Sequence, residues 1–226
     1  MRFLNLDAMT LIARIAVILL ILPLHEYAHA FAARKFGDYT AESSGRLTLN
    51  PFKHIDPAGA FLLLLTGFGW AKPVPVNPIA MRNPRKGIIW TSLAGPLSNL
   101  AAAFISLTVL RVISCIPIAA SNMALYSTLT AVCSLLAAFS SINMGLAVFN
   151  LIPVPPLDGS RVLMQFLPTN AVIWIQRNQM VISIVFLVLV ISPALDYPLS
   201  FITNLIYRLF FFLTDWIPLL MNMITG

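Results

Sequence analysis

The sequence has few charged residues and very few cysteines. Asp, Glu, Lys and Arg together make up 10% of its 226 residues, against about 25% in an average globular protein, and no carboxylate stands between Asp56 and Asp158. This scarcity excludes an intrinsically disordered chain and a nucleic-acid-binding domain. Two cysteines are too few for a disulfide scaffold. Because 59% of the residues are hydrophobic, we expect a polytopic helical membrane protein.

Apolar runs predict an all-α membrane protein with about five to six transmembrane or re-entrant helical segments in a single domain, residues 1–226. A bilayer span needs about 20 apolar residues, so the shorter run 58–70 predicts a re-entrant or interfacial segment. Residues 45–51, between the first two spans, alternate apolar and polar side chains, which predicts a small β-hairpin or strand. The predicted segments cover residues 9–33, 58–70, 88–116, 125–150, 180–191 and 199–220.

Basic residues are concentrated in one part of the chain. Eight of the 14 Lys and Arg residues lie in residues 34–86, and none lies in the turn 117–123 between the second and third long spans. Lys and Arg accumulate in cytoplasmic loops, so residues 34–86 are predicted to be cytoplasmic and the turn to lie outside. The end of the first span and the end of the third then face the cytoplasm at one depth.

The first predicted span carries His25, Glu26 and His29, although an ionisable residue inside a membrane helix costs roughly 2.5–3.5 kcal/mol or more. Histidines four residues apart lie on one face of a helix, a spacing at which both imidazoles can bind one Zn²⁺. Glu26 stands beside the pair, where it can take a proton from a water at the metal. The alternative is a helix end whose polar side chains are simply solvated.

A catalytic zinc site needs a third protein ligand and an open position for water. Asp158 is the best candidate, because it is the only acidic residue near the cytoplasmic end of the third long span. His54 is the only other histidine in the chain and could compete for this role. Its position beside Lys53 and Asp56, in a charged loop, favours a surface or structural role.

Two further motifs accompany the His-Glu-x-x-His motif. Residues 94–99 are Ala-Gly-Pro-Leu-Ser-Asn, and residues 150–159 are Asn-Leu-Ile-Pro-Val-Pro-Pro-Leu-Asp-Gly. The three motifs in this order resemble the site-2 protease family of intramembrane zinc metalloproteases. The resemblance covers a core of about residues 9–168, followed by C-terminal spans at about 172–222, and it is to small bacterial and archaeal members without PDZ or CBS domains.

This resemblance implies a role for each residue of the first motif. His25 and His29, with Asp158, would be the ligands of one zinc ion per chain. Glu26 would be the catalytic base. The chain is then expected to be an enzyme, a zinc metalloendopeptidase.

The resemblance also implies a substrate and a place of action. The protease would sit in the lipid bilayer of the cell membrane and cut membrane-embedded protein substrates, with or without a first cut by another protease. Asn150 would help to hold the substrate or the oxyanion. Asn99 is a second candidate for that role, with an interhelical hydrogen bond as its alternative. Combined with the charge distribution, this places the active site on the cytoplasmic side.

A metal-ion transporter is the alternative function, because His and carboxylate side chains also line ion paths. A transporter would need further polar residues in several spans, and residues 88–116 and 199–220 supply few. A haem carrier is excluded, since histidines four residues apart on one helix cannot be opposed axial ligands of one haem.

The charge distribution predicts which side of the membrane each loop faces. In a variant without Cys115 and Cys133, single cysteines are placed at Ser43 and at Ser121, and intact cells are treated with a membrane-impermeant thiol reagent. A cysteine at position 121 should be labelled and one at position 43 should not, because only the basic loop is retained inside. The reverse pattern would show that the topology is inverted.

Overall fold

The computed structural model describes residues 8–66, 69–116 and 123–225, and the described chain is built from helices. Long helices form where apolar residues run without interruption, and short ones fill the loops. One π-helical turn, Val17–Ile21, joins the first two helices. The α-helices are α1 Ala8–Ala16, α2 Leu22–Lys35, α3 Thr40–Ser43, α4 Pro57–Thr66, α5 Pro84–Ser114, α6 Met123–Asn150, α7 Asp158–Met164, α8 Thr169–Arg177, α9 Gln179–Ile191, α10 Asp196–Leu213 and α11 Trp216–Thr225.

Among the described residues, four helical segments are long and apolar enough to cross a membrane, and a bent pair raises the number to five. The bent pair is α8 with α9, whose axes differ by 70°. This agrees with the predicted multi-pass helical fold, and the first three long spans lie within a few residues of their predicted positions. Most of the turn 117–123 lies outside the described residues. The four segments are Leu11–Lys35, Pro84–Ser114, Met123–Asn150 and Pro193–Met221.

Helix α5 is the centre of the fold and packs against both α2 and α6. Small and polar residues on α5 allow close approach: Ala103 is fully buried, and its carbonyl accepts a hydrogen bond from the Ser140 hydroxyl of α6 at 2.9 Å. Close packing of small residues and interhelical hydrogen bonds are the usual means of association in a membrane. Helix α5 therefore fixes the relative positions of α2 and α6.

The prediction of a β-hairpin at residues 45–51 is wrong: the described residues contain no strand, and their one β-bridge joins Ile55 and Ala71. Side chains in this stretch bind the backbone locally instead. The Thr48 hydroxyl accepts from the Asn50 N–H, and the Asn50 side chain accepts from the Phe52 N–H. Such local bonds compete with a strand ladder.

Helix α4 is too short to cross a membrane. Its 10 residues span about 15 Å, half of a bilayer core of about 30 Å. Residues 69–70 lie against the start of the same helix, and the close approach requires glycine on both sides: a Cβ atom on Gly59 would collide with the Trp70 carbonyl, and one on Gly69 with the Gly59 carbonyl. The re-entrant or interfacial segment at residues 58–70, of which residues 67–68 lie outside the described part, stays a prediction.

Arg14 of α1 caps the end of this half-length helix. Its Nη1 donates to the Leu64 carbonyl at 2.6 Å and to the Leu65 carbonyl at 3.1 Å. The last carbonyls of a helix have no partner within the helix, and an unpaired polar group in an apolar environment is costly. A cation in the first span thereby stabilises the C-terminal end of α4.

Replacing Arg14 with methionine should destabilise the protein, because the α4 carbonyls then lose their donor. The expected cost is about 1–3 kcal/mol, measured as a lower Tm in detergent solution. Arg177→Met is the matched control, since Arg177 is an exposed cation at the end of α8. Equal Tm values for the two variants would contradict the capping role.

Candidate metal centre

The His-Glu-x-x-His motif lies in the second half of the first span, on α2. The helix widens into the π-helical turn just before it, where the Leu22 N–H donates to the Val17 carbonyl, and Pro23 follows at the start of α2. From this helix His25 and His29 extend toward α5, and both are buried, with 7% and 8% of their surface exposed.

Asp158 lies 129 positions after His29 in the sequence and is the first residue of α7. The chain leaves α6 at Asn150, turns through a proline-rich stretch and folds back on itself. A Cβ atom on Gly159 would collide with the carbonyl of Leu151, so the close return requires glycine at this position. This return brings the carboxylate of Asp158 to the two histidines.

The three side chains present one donor atom each to a common point. The His25 Nε2 and His29 Nε2 atoms are 2.9 Å apart, and each lies 3.2 Å from the Asp158 Oδ2 atom. Ligands of a tetrahedral zinc ion at about 2.0–2.1 Å are roughly 3.3 Å apart. Two imidazoles and one carboxylate are also a donor set that zinc prefers. The three residues therefore fit a zinc ion with one position left open.

Gly95 of α5 leaves the space that the two imidazoles need. A Cβ atom on Gly95 would lie 2.5 Å from the His29 Nε2 atom and 2.6 Å from the His25 Nε2 atom. Any side chain at this position would occupy the region on which the donor atoms converge. The glycine of the 94–99 motif therefore keeps the metal centre open.

The backbone of α5 also orients one ligand. The His29 Nδ1 atom lies 2.6 Å from the Thr91 carbonyl oxygen, and because a carbonyl can only accept, Nδ1 carries the proton. In the neutral ring Nε2 is then unprotonated and able to bind a metal. Hydrogen bonding of the distal ring nitrogen to a carbonyl is the usual support for a histidine ligand.

The charge of Asp158 is stabilised by its neighbours. Burial of this carboxyl group raises its pKa, but hydrogen bonds from His25 and His29, which donate from Nε2 when the rings are protonated, outweigh that effect and hold the pKa below its ordinary value. The carboxylate form that a metal requires is therefore the form present at neutral pH.

Glu26 lies beside the cluster, and an extended segment holds its carboxylate. We refer to residues Ala71–Val74 as the strap. The Val74 N–H donates to the Glu26 Oε2 atom at 2.8 Å, and Glu26 is 9% exposed. One carboxylate oxygen is thus fixed by the strap.

The two asparagines predicted to hold substrate lie outside the three-residue cluster. Asn150 ends α6, is partly exposed, and donates from its Nδ2 atom to the Leu146 carbonyl at 2.9 Å. Asn99 is 1% exposed, and its Oδ1 atom has no partner among the described residues. Asn99 follows Gly95 by one turn of α5.

His54 is not part of the metal cluster. It is fully buried, and its Nε2 atom donates to the Thr48 carbonyl at 2.7 Å, which closes the loop after α3. Of the two non-catalytic roles expected for it, the structure shows the structural one. The residue whose donor atom reaches His25 and His29 is Asp158.

Sequence reasoning missed three parts of the centre: the space at Gly95, the carbonyl of Thr91 and the amide of Val74. Gly95 could have been found, because it stands in a small-residue motif on a long span. The other two are backbone groups, and the side chains of Thr91 and Val74 give no signal of them.

Comparisons with known proteins agree with this geometry. The family model described as Peptidase family M50 matches residues 13–192. The chain is 42% identical over 176 residues to the "Putative zinc metalloprotease YwhC" of Bacillus subtilis (strain 168), which covers 78% of each chain. It is 32% identical over 185 residues to the "Putative zinc metalloprotease Rip2" of Mycolicibacterium smegmatis, covering 79% of this chain and 66% of that relative.

A third relative is the "Putative zinc metalloprotease Rip2" of Mycobacterium tuberculosis, 31% identical over 180 residues, with 76% of this chain and 64% of the relative covered. No solved structure matches the chain. The matched range contains His25, His29 and Asp158, the residues whose donor atoms converge. The chain therefore belongs to peptidase family M50, the site-2 protease family of zinc metalloproteases.

Proposed function

We propose that this chain is an intramembrane protease that hydrolyses peptide bonds of membrane-embedded protein substrates. The observation that carries the proposal is the buried convergence of His25, His29 and Asp158 at one end of a membrane span, with Glu26 beside it. A zinc ion held by the three residues would polarise the scissile carbonyl and lower the pKa of the attacking water. Nothing in the described structure favours the alternative of a metal-ion transporter.

Glu26 is assigned the proton transfers. As a carboxylate it takes a proton from the attacking water, and it then gives that proton to the amine that leaves when the C–N bond breaks. The Val74 N–H holds one of its oxygens, so the other is available to the water. Fixing the base in one orientation reduces the reorganisation needed at the moment of reaction.

Substrate holding is assigned first to Asn150. This amide is partly exposed and gives up only a hydrogen bond within its own helix when it turns to a substrate. Asn99 is almost wholly buried, so it reaches a substrate only if α5 or α6 shifts. The amide of Asn150 is therefore the better placed of the two.

The substrate class and the side of action follow from the position of the centre. It lies where α2 and α7 adjoin the basic loop region 34–86, so we place it at the cytoplasmic face of the cell membrane. A helical peptide bond is shielded, and a substrate segment must unwind before it is cut. Such a substrate is a transmembrane segment, with or without a preceding cut by another protease.

Zinc content should depend on the three converging residues and not on the base. Purified protein should contain about one zinc ion per chain, measured by elemental analysis. Ala variants of His25, His29 or Asp158 should lose it, because each removes a donor. Glu26→Gln should retain it, and His54→Ala is the control histidine variant outside the cluster.

The His54 control also decides which residue is the third ligand. Full zinc retention by Asp158→Ala together with loss from His54→Ala would show that Asp158 is not the third ligand.

Glu26→Gln should abolish cleavage while leaving fold and zinc content unchanged, because the amide has the shape of the carboxylate but cannot accept the proton. Loss of a general base lowers the rate by about 10²–10⁴-fold, measured on a membrane-embedded test substrate in proteoliposomes. Glu42→Gln is the matched control, since Glu42 is an exposed carboxylate paired with Arg34 at 3.0 Å. Cleavage by Glu26→Gln at the rate of the control would contradict the mechanism.

A further inference from the structure

The strap reaches Glu26 although its sequence cannot form a regular strand. Pro73 and Pro75 have no N–H to donate, so a ladder is not available to residues 71–76. The strap is held by separate contacts instead. The Lys72 N–H donates to the His54 carbonyl at 2.8 Å, and the Val74 N–H donates to Glu26.

Arg46 supplies the remaining bonds to the strap. Its Nη2 atom donates to the Lys72 carbonyl at 2.5 Å and to the Pro73 carbonyl at 3.2 Å. The Pro73 carbonyl belongs to the same peptide unit as the Val74 N–H that holds Glu26, and the Lys72 carbonyl belongs to the unit before it. Arg46 reaches them because Gly45, with φ of 65°, ends α3 in the left-handed conformation and turns the chain inward.

Burying the charge of Arg46 carries a high free-energy cost for a purely structural role. It is 8% exposed, and within the described residues no carboxylate lies within salt-bridge distance of it. Burying an unpaired charge costs more than burying a neutral donor. The hydrogen bonds of Arg46 hold the strap, and the strap holds the Glu26 carboxylate. This contact is the reason we give for a buried cation at position 46.

We propose that Arg46 is a positioning residue for Glu26, acting through the strap. The proposal rests on the proposed function, in which Glu26 is the base. Arg46 fixes the carbonyls of Lys72 and Pro73, and the next N–H, that of Val74, fixes the carboxylate. Arg46 touches neither the substrate nor the metal in this scheme.

Arg46→Met should lower kcat about tenfold and leave KM and zinc content unchanged, since displacement of a catalytic group by a fraction of an ångström costs about this much. Arg46→Lys retains a single cationic donor and should recover part of the loss. Lys53→Met is the control, because Lys53 is an exposed cation in a neighbouring loop. A rise in KM at unchanged kcat would overturn the proposal, since it would show that the strap only binds substrate.

A double-mutant cycle with Glu26→Asp tests whether Arg46 affects kcat through Glu26. The shorter carboxylate cannot keep its bond to the Val74 N–H, so adding Arg46→Met to Glu26→Asp should lower kcat by less than about twofold. Groups that act through one contact are non-additive. A full tenfold loss in the Glu26→Asp background would show that Arg46 acts by another route.

The rate of thiol labelling, which does not depend on catalytic activity, tests the same contact in protein from which the metal has been removed. Val74 is 7% exposed, so a cysteine at this position, in a variant lacking Cys115 and Cys133, should react slowly with a thiol reagent. Arg46→Met should accelerate this reaction about tenfold by releasing the strap, and Lys53→Met should not. An unchanged reaction rate would overturn the proposal, whether or not Arg46→Met retains activity.

The two proposals fail in different ways. Absence of cleavage by the unaltered protein would overturn the proposed function. Normal cleavage by Arg46→Met in an active protein would overturn only the positioning role of Arg46.

Discussion

The close approach of α2, α5 and α7 is the constraint on which the metal centre depends. Two glycines make it possible. Gly95 leaves room for both imidazoles, and Gly159 lets α7 return against the end of α6. A methyl group at either position would separate donor atoms that must lie about 3 Å apart. The requirement is local and steric, and it accounts for glycine at two points far apart in the sequence.

A second constraint is the supply of hydrogen-bond donors in the loop between α2 and α5. Prolines remove donors from this loop, and the described part of it forms no strand. Buried polar side chains take over. Asp38 accepts from the Thr40 and Asn77 N–H groups, His54 donates to the Thr48 carbonyl, and Arg46 donates to the strap. The loop is thus ordered by side chains, and its order extends to the Glu26 carboxylate.

These two constraints act on different parts of the centre, one on the three metal-binding side chains and the other on Glu26. Helices α2, α5 and α7 place the three metal-binding donors, while the loop holds Glu26 through Val74. Glu26, the proposed base, can then be displaced without disturbing the three converging donors. This separation is why zinc content and cleavage are expected to respond to different substitutions, and why a residue as remote as Arg46 can affect one and not the other.

Much of the fold and of the centre could be predicted from the sequence. The long spans could be predicted from apolar runs, because a bilayer-spanning segment must satisfy its own backbone hydrogen bonds as a helix. The histidine pair could be predicted from a four-residue spacing on one helix face. The predicted β-hairpin at 45–51 failed because alternation of apolar and polar residues does not distinguish a strand from a loop whose polar side chains turn inward. Leu47, for example, packs with Ala30, Ala41 and Val74 while its neighbour Arg46 binds the strap.

The sequence by itself determined the residue types, their spacing on α2 and the membrane setting, since periodicity and hydropathy are local properties of the chain. Only the tertiary structure decided that Asp158 and not His54 meets the histidines, that the Thr91 carbonyl sets the tautomer of His29, and that the Val74 amide holds Glu26. These are contacts between segments 48 to 133 positions apart, and two of them are made by backbone groups. Every residue except proline has the same backbone N–H and C=O groups. Which of these groups pair depends on where packing places the residues and not on their side chains.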